Sequence, residues 1–549
     1  MPSPGYAPGR DLRWLLLRPW LLIGRLIVIL TRLLSLATVL VLRGRDEDPA
    51  VQRQLSRKAL NTLATLGPCF IKVGQALSTR PDLLPTEWLE ALSRLQDDLP
   101  AFPREAALQT IEAELGQPAD KLFHSFPDQP VASASLGQVY KARLHDGRWA
   151  AVKVQRPQLA PIIRRDLVLI RLLGMICGPF LPLNLGLGLA LIVDEFGAKL
   201  LEEIDYDREA DNAERFAALF SASPAVIVPA VERRLSSRRV LTTEWIEGAK
   251  LRDADELRKL GLDPTALIRT GVVAGLQQLL EFGFFHADPH PGNLFALRGR
   301  SGDLGHLAYV DFGMMDQISD SDRLTLTDAV VHLINRDFES LARDFVRLGF
   351  LTPSTDLSRI TPALEEVLGG QLGSQVGDFN FKRITDRFSE LMYEYPFRVP
   401  ARFALIIRAL VSQEGLALRL DPSFRIIGVA YPYVARRLLA GDTAELREKL
   451  LEVLFDVDGR LRIDRLESLL AMAGQDGVGG NLLPLAGAGA RLLFSDAGRG
   501  LRLRLLEMLV RDNRLQTEDL AGLLGVVRRN LAPAAMARGL LGALNPLAA

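Results

Sequence analysis

The string His286-Ala287-Asp288-Pro289-His290-Pro291-Gly292-Asn293, followed by Tyr309-Val310-Asp311-Phe312-Gly313, decides how this chain is read. Two prolines and a glycine within eight residues exclude a helix and hold a fixed loop. On such a loop a carboxylate at 288 can accept a proton from, or orient, an attacking hydroxyl or water. An amide five residues later, at Asn293, can ligate a divalent cation. A strand that ends in Asp311-Phe312-Gly313 delivers a second carboxylate, placed to chelate Mg2+ across the β- and γ-phosphates of a nucleotide. His286, Asp288 and His290 can also be read as a metal site of their own, a reading that leaves 311–313 unexplained.

Upstream lie two further pieces. Ala132-Ser133-Ala134-Ser135-Leu136-Gly137-Gln138-Val139 is a turn of small residues that leads into a strand, and small residues let backbone amides approach phosphates closely. Val139–Leu144 and Trp149–Gln155 are β-type runs joined by His145-Asp146-Gly147-Arg148, an Asp-Gly hairpin signal. Lys153, in Ala150-Ala151-Val152-Lys153 on the second run, can reach the α/β-phosphates beneath the turn. Its partner is sought among the carboxylates of Glu202–Asp211. Glu203 and Glu209 are six residues apart, which favours two different partners. Small-residue turn, strand lysine, His-x-Asp loop and Asp-Phe-Gly occur in the order found in protein kinases. Ala287 stands where protein kinases have an arginine that meets a phosphorylated activation loop. A helix expected to start near Ser319–Asp322 leaves no room for a long activation segment.

The strings Lys72-Val73-Gly74-Gln75, Ala132–Val139, Val152–Pro157, Glu203-Ile204-Asp205, Glu209–Asn212, Phe284–Asn293 and Asp311–Gly313 together resemble the UbiB family of atypical kinases, the AarF-domain or ABC1-like proteins, over about residues 50–440. The resemblance implies an α+β, protein-kinase-like two-lobe fold, with a small mainly β lobe and a large helical lobe. It implies that Lys153 pairs with Glu209, that Asn293 and Asp311 hold Mg2+, and that Asp288 acts at the acceptor. ATP or ADP would meet residues 132–135 and 137–139, with Glu244 and Ile246 lining the adenine pocket. Lys72 and Gln75 would come from a family-specific extension folded over the cleft, with Lys72 near Glu203 and Asp205. Ser133 departs from the family's Ala-rich loop. Arg408–Gly415 also resembles the family and is read as structural. The extended C-terminal region, with Leu454–Gly474, resembles the cyanobacterial and plastid branch.

The 549 residues are 48% apolar and 24% charged with zero formal net charge, so no global field argues for a nucleic-acid partner. Two cysteines, Cys69 and Cys177, cannot build a disulfide framework and fit a reducing compartment. Residues 1–45 hold seven arginines and one acid, Asp11. Arginines interrupt the apolar Trp14–Leu42 stretch, which argues against a secretory signal and against a spanning helix. Arg18, Arg25 and Arg32 recur every seven residues, which predicts a helix with one arginine stripe lying in an anionic lipid interface, or packed on its own domain with the arginines in water. Leu172–Val193 is free of charge but broken by Gly and Pro, and reads as a buried or interface-facing apolar hairpin. After residue 470 the charge-free stretches are too short to span a bilayer.

The organisation expected is an interfacial segment at 1–45, a helical extension at 46–130, a kinase-like N-lobe at 131–250, a helical C-lobe at 251–440 and a helical extension at 441–549. The function expected is an ATP/Mg2+-dependent kinase or ATPase on the cytoplasmic or stromal-type face of a membrane. Its partners would be a membrane lipid or prenyl-lipid and the proteins of ubiquinone or plastoquinone biosynthesis. A nucleotide-gated lipid-binding or assembly factor and an ordinary protein kinase are the competing readings.

Overall fold

The Asp146-Gly147 turn closes a hairpin in the computed structural model, between β2 (Gly137–Arg143) and β3 (Trp149–Gln155), in register from Gly137 opposite Gln155 to Arg143 opposite Trp149. The turn chemistry explains the closure: the Asp146 carboxylate accepts the Arg148 amide at 3.0 Å, and Gly147 takes φ 89°, a conformation glycine adopts without strain. The structure describes residues 5–43, 48–78, 101–178, 189–298, 305–369, 399–455, 460–474 and 492–511, with isolated positions besides.

The chain divides into two units. The first comprises residues 1–267, 286–316 and 401–412; the second comprises 268–285, 317–400 and 413–549. In the first unit, β1 (Ala132–Ser133) and β5 (Val240–Glu244) flank the hairpin in an antiparallel sheet of order β1-β2-β3-β5. Alternation along β3 sends Ala150, Val152 and Val154 into a core with Tyr140, Ala142, Val240 and, from the helix Arg104–Leu115, Ala107 and Ile111. Lys153 therefore faces the opposite side. A second small sheet pairs β4 (Val226–Ile227) parallel to β8 (His306–Tyr309), which runs antiparallel to β7 (Leu294–Leu297), with β6 (Ala249–Lys250) at the edge.

Helices α1 (Pro8–Leu16), α2 (Pro19–Arg43), α3 (Pro49–Leu66) and α4 (Pro68–Leu77) precede the sheets. Between the sheets run α6 (Leu159–Cys177), α7 (Leu189–Glu203) and α8 (Tyr206–Leu219), after α5 (Arg104–Leu115). The single arginine-striped helix expected from Trp14 to Leu42 is two helices. Pro19 has no amide proton for the helical ladder and opens a new helix instead. Its stripe is not uniform either. Arg18 lies over the Trp14 ring at 4.2 Å, Arg32 is exposed, and Arg25 turns inward to the fully buried Asp166 carboxylate, donating from Nε at 2.9 Å and Nη2 at 2.7 Å. Around that pair, Ile29 is buried in a cluster with Leu66, Phe70, Ile163 and Leu167. The opposite face exposes Trp20, Ile23, Ile27 and Leu34, and by length and composition α2 is apolar enough to cross a membrane. The run Leu172–Val193 lies partly outside the described residues; α6 covers its start and α7 its end.

The second unit is mainly helical. Its helix Asp320–Ile334 starts where the sequence signals it, with the Ser319 hydroxyl accepting the Asp322 amide at 3.1 Å and two acids in the first turn. Further helices run over Phe338–Arg347, Leu357–Leu364, Ile427–Ala440, Ala444–Leu454 and Ile463–Gly474.

Candidate active site

β3 and the first turn of α8 bring Lys153 and Glu209 together. The ammonium donates to both Glu209 oxygens, at 2.7 and 2.9 Å, and to Asp311 Oδ2 at 3.1 Å. The choice left open between Glu203 and Glu209 thus resolves into two pairs, because Glu203 is bonded by Lys72 of α4. Asp205, at the N-cap of α8, is paired with Arg238, whose Nε lies 3.2 Å from its Oδ2. Gln75 lies on α4 one turn beyond Lys72.

Asn293 and Asp311 are neighbours because they end paired strands. Leu294 lies opposite Tyr309, and the Val310 amide donates to the Asn293 carbonyl at 3.1 Å. His286 organises the loop that leads into Asn293. Its Nδ1 accepts the Asp288 amide at 3.0 Å, so Nε2 carries the proton and donates to the Asp311 carbonyl at 2.7 Å. Burial pushes this imidazole below its ordinary value and keeps it neutral. His290 Nδ1 accepts the Gly292 amide at 2.9 Å. With both ring nitrogens of His286 committed in this way, His286 offers no lone pair to a metal site made with Asp288 and His290. The Asn293 amide group donates to the Asp288 carbonyl at 3.3 Å, which leaves its Oδ1 without a hydrogen bond among the described residues. Asp288 itself is held by Arg408, whose Nη2 lies 2.7 Å from Oδ2.

The electrostatics follow from one ammonium shared by two carboxylates. Burial disfavours the Lys153 charge, yet Asp311 and Glu209 outweigh it and hold the lysine well above its ordinary value. Burial also opposes the Asp311 charge, but Lys153 and the Gly313 amide, which donates to Oδ1 at 2.9 Å, hold this carboxyl well below the usual range. Glu209, 2% exposed, is pushed up by burial, to about 7, against the pull of Lys153. The donor set suits Mg2+: one carboxylate and one amide oxygen, with the remaining positions left to phosphates and water. Among the described residues no cluster of three His, Cys, Asp or Glu forms a separate metal cage. When bound, such an ion supplies positive charge to the phosphates; Asp311 and Asn293 are the residues that would hold it.

The small-residue loop is a tight hairpin. Ser133 pairs with Gln138, and the Ala134 amide donates to the Gly137 carbonyl at 2.8 Å. Arg156 braces it from below, from Nε to the Ala134 carbonyl at 2.9 Å and from Nη2 to Ser133 Oγ at 3.3 Å. Ala132 pairs with Val139. Ser135 is buried, and Leu136 belongs to the apolar cluster that also holds Leu66 of α3 and Phe70 of α4. Gln138 corrects the expectation that it faces a nucleotide. It is 1% exposed and its amide is spent on the Phe102 backbone, accepting at 3.1 Å and donating at 3.3 Å. Glu244 and Ile246 lie at and beyond the end of β5. Leu241 sits opposite Lys153 and Glu244 three residues on, about 10 Å along the strand. Glu244 is exposed and accepts the Ala230 amide at 3.5 Å.

Sequence reasoning passed over four residues here: Arg156, Tyr206, Asn212 and Arg408. Tyr206 stands inside the quoted acidic motif. Its buried ring faces the Lys153 ammonium at 5.1 Å, and its hydroxyl has no hydrogen-bond partner among the described residues. Asn212 donates to the Phe312 carbonyl at 3.1 Å and ties α8 to Asp-Phe-Gly.

The chain is similar to several known proteins. The ABC1 atypical kinase-like domain matches residues 94–345. The Synechocystis protein slr1919, described as uncharacterized, is 53% identical over 482 residues, 88% of this chain and 84% of its own length. The chloroplast protein ACTIVITY OF BC1 COMPLEX KINASE 1 of Arabidopsis thaliana is 45% identical over 493 residues, 87% of this chain and 71% of its own length. A solved Mycobacterium tuberculosis structure, that of Rv3197 with erythromycin, is 27% identical, covers 68% of this chain and 94% of that one, and gives a TM-score of 0.47. The chain has an α+β, protein-kinase-like fold and belongs to the ABC1, or UbiB/AarF, family of atypical kinases.

Proposed function

We propose that this chain is an ATP- and Mg2+-dependent phosphotransferase or ATPase that works at a membrane surface, on the cytoplasmic or stromal-type side, in support of prenyl-lipid or isoprenoid-quinone metabolism. The observation that carries the catalytic part is the Lys153–Glu209–Asp311 triad beside Asn293. It has the residue types that neutralise nucleotide phosphates, and Asp288 lies on the same loop as Asn293, where a hydroxyl or water would be oriented. Ala287 and the helix start at Asp320 favour a non-protein acceptor, since a peptide-docking activation segment has little chain to form from. The chloroplast location in the names of relatives supports the stromal-type side.

The membrane part rests on α2. Leu22, Leu26, Ile29 and Leu33 pack against the unit, so the helix lies along the protein and turns Trp20, Ile23 and Ile27 outward. A helix docked along one face suits the plane of a lipid interface better than a crossing of it.

The competing reading, a nucleotide-gated lipid-binding factor with little phosphotransfer, is favoured by the apolar cluster that Leu136 of the loop tip shares with α3 and α4. One experiment separates the two: ATP turnover by the purified full chain with and without vesicles that contain prenyl-lipids. Vesicle-stimulated turnover that is lost in Asp288→Asn, with nucleotide still bound, supports the enzyme. Nucleotide-dependent vesicle binding that survives Asp288→Asn, without turnover in either protein, supports the gated factor.

A further inference from the structure

The hydrogen bonds of the catalytic loop fix the backbone of Asp288 and leave its carboxylate untouched. His286 Nδ1 takes the Asp288 amide, while its carbonyl takes the Asn293 side chain and the His290 amide. Among the described residues the carboxylate has one bonded partner, Arg408, at 2.7 Å from Oδ2, and Oδ1 accepts no hydrogen bond. Arg408 sits on the helix Ala401–Leu420, 120 residues downstream of Asp288. The two side chains are 16% and 20% exposed, so the pair is shielded from most competition by water. Among the described residues no other cation bonds this carboxylate. The string 286–293 contains no lysine or arginine, burial keeps His286 neutral, and the Lys153 ammonium is taken by Glu209 and Asp311.

We propose that Arg408 is the positioning residue for Asp288: it pins Oδ2 and so presents Oδ1 as the oxygen that meets the acceptor. This rests on the phosphotransferase or ATPase reading given above. In the transfer step the acceptor O–H gives its proton to Oδ1 and the acceptor oxygen bonds to the γ-phosphorus. The bond from that phosphorus to the β-bridging oxygen breaks, and its electron pair leaves with ADP. A guanidinium suits the task because its charge is permanent and its planar edge restricts the carboxylate rotamer, whereas an ammonium fixes distance alone.

The test compares the parent chain with Arg408→Gln, Arg408→Lys, Asp288→Asn and the double variant Asp288→Asn/Arg408→Gln, full length throughout. It reads MgATP affinity, KM and kcat for ATP turnover, and the pH profile of kcat. The expected result is a fall in kcat of about 100-fold for Arg408→Gln, the size of a well-placed proton acceptor's contribution. MgATP affinity and KM should stay within about threefold, as for a group that acts after nucleotide binding. The acid limb of the pH profile should shift, Arg408→Lys should recover part of the loss, and the double variant should be no slower than Asp288→Asn alone. The proposal is overturned if Arg408→Gln keeps the parent's kcat, if its loss falls on nucleotide affinity instead, or if the two substitutions multiply. Should Arg408→Gln fail to fold, a folded Arg408→Lys with the parent's kcat and pH profile overturns it equally. A parent chain that binds no MgATP removes the enzyme reading and this inference together; a parent that binds and turns over ATP while Arg408→Gln is unaffected removes this inference alone.

Discussion

Asp166 and Asp311 are both carboxylates bonded by cations within the same unit, yet their surroundings differ in two ways. Asp166 is fully buried and receives a two-point guanidinium fork from Arg25, with Arg165 Nε a further 3.3 Å contact. Asp311 is 35% exposed on its side chain and shares a single ammonium with Glu209. The first site is closed and has no shortage of positive charge. The second is open and short of it. A pair saturated by the protein itself serves to hold the fold together, whereas two carboxylates around one lysine are one positive charge short of balance, a deficit that a divalent cation held at Asp311 would offset.

The contrast is broken most directly at Asp311. Asp311→Asn should lower Mg-dependent ATP turnover by about 1000-fold, as expected when the charge that holds the cation is removed. Its melting temperature should stay close to the parent's; a variant that retains turnover would make Asp311 as structural as Asp166. The reciprocal change, Asp166→Ala, should cost about 3–5 kcal/mol of stability in denaturant unfolding, because Arg25 is left buried without its partner. Turnover per folded molecule should remain near that of the parent. A loss of turnover without a loss of stability would show that the first pair is more than scaffold.

The smallest effect concerns pH. Glu209 has a folded-state value near 7 against an ordinary 4.5, so between these values the folded chain holds more protons at this site than the unfolded chain. Stability from Glu209 is therefore fully present below about 4.5 and declines as pH rises towards 7. Across that interval, with no ligand added, the parent should lose stability relative to Glu209→Gln, by on the order of 1–2 kcal/mol. Saturating MgATP should remove the difference. Parallel stability–pH curves for the two proteins would mean that Lys153 balances both carboxylates without help.

What could be read from the sequence was what short stretches encode. The Asp146-Gly147 hairpin, the Ser319 cap and the strand that leads into Asp311-Phe312-Gly313 depend on residues a few places apart, and each formed where its pattern put it, whereas the strand Leu294–Leu297 that pairs with it was not read in advance. The kinase-type order of motifs carried the larger plan. Long-range choices were hidden. Arg25 finds Asp166 at a separation of 141 residues, and a seven-residue repeat of arginines says nothing of which one turns inward. Gln138 stands in a loop of phosphate-binding type, but its amide meets the Phe102 backbone, a demand visible only once the helix Arg104–Leu115 is docked on the sheet. Asp205 is two residues from Glu203, and its ion pair with Arg238, 33 residues away, has no signal in the local sequence. Arg408 sits in a stretch read as structural because nothing local sets one helical arginine apart from another.

Gly137 carries a consequence for how this loop can vary. A methyl group placed on its α-carbon would come within 2.6 Å of both the Tyr206 hydroxyl and the Val154 carbonyl oxygen. Backbone oxygen cannot step aside, and the tyrosine that would have to move is the one whose ring faces Lys153. Sequence drift at position 137 is thus gated by the packing of α8: even alanine there would act on the ammonium at second hand, through the displaced tyrosine.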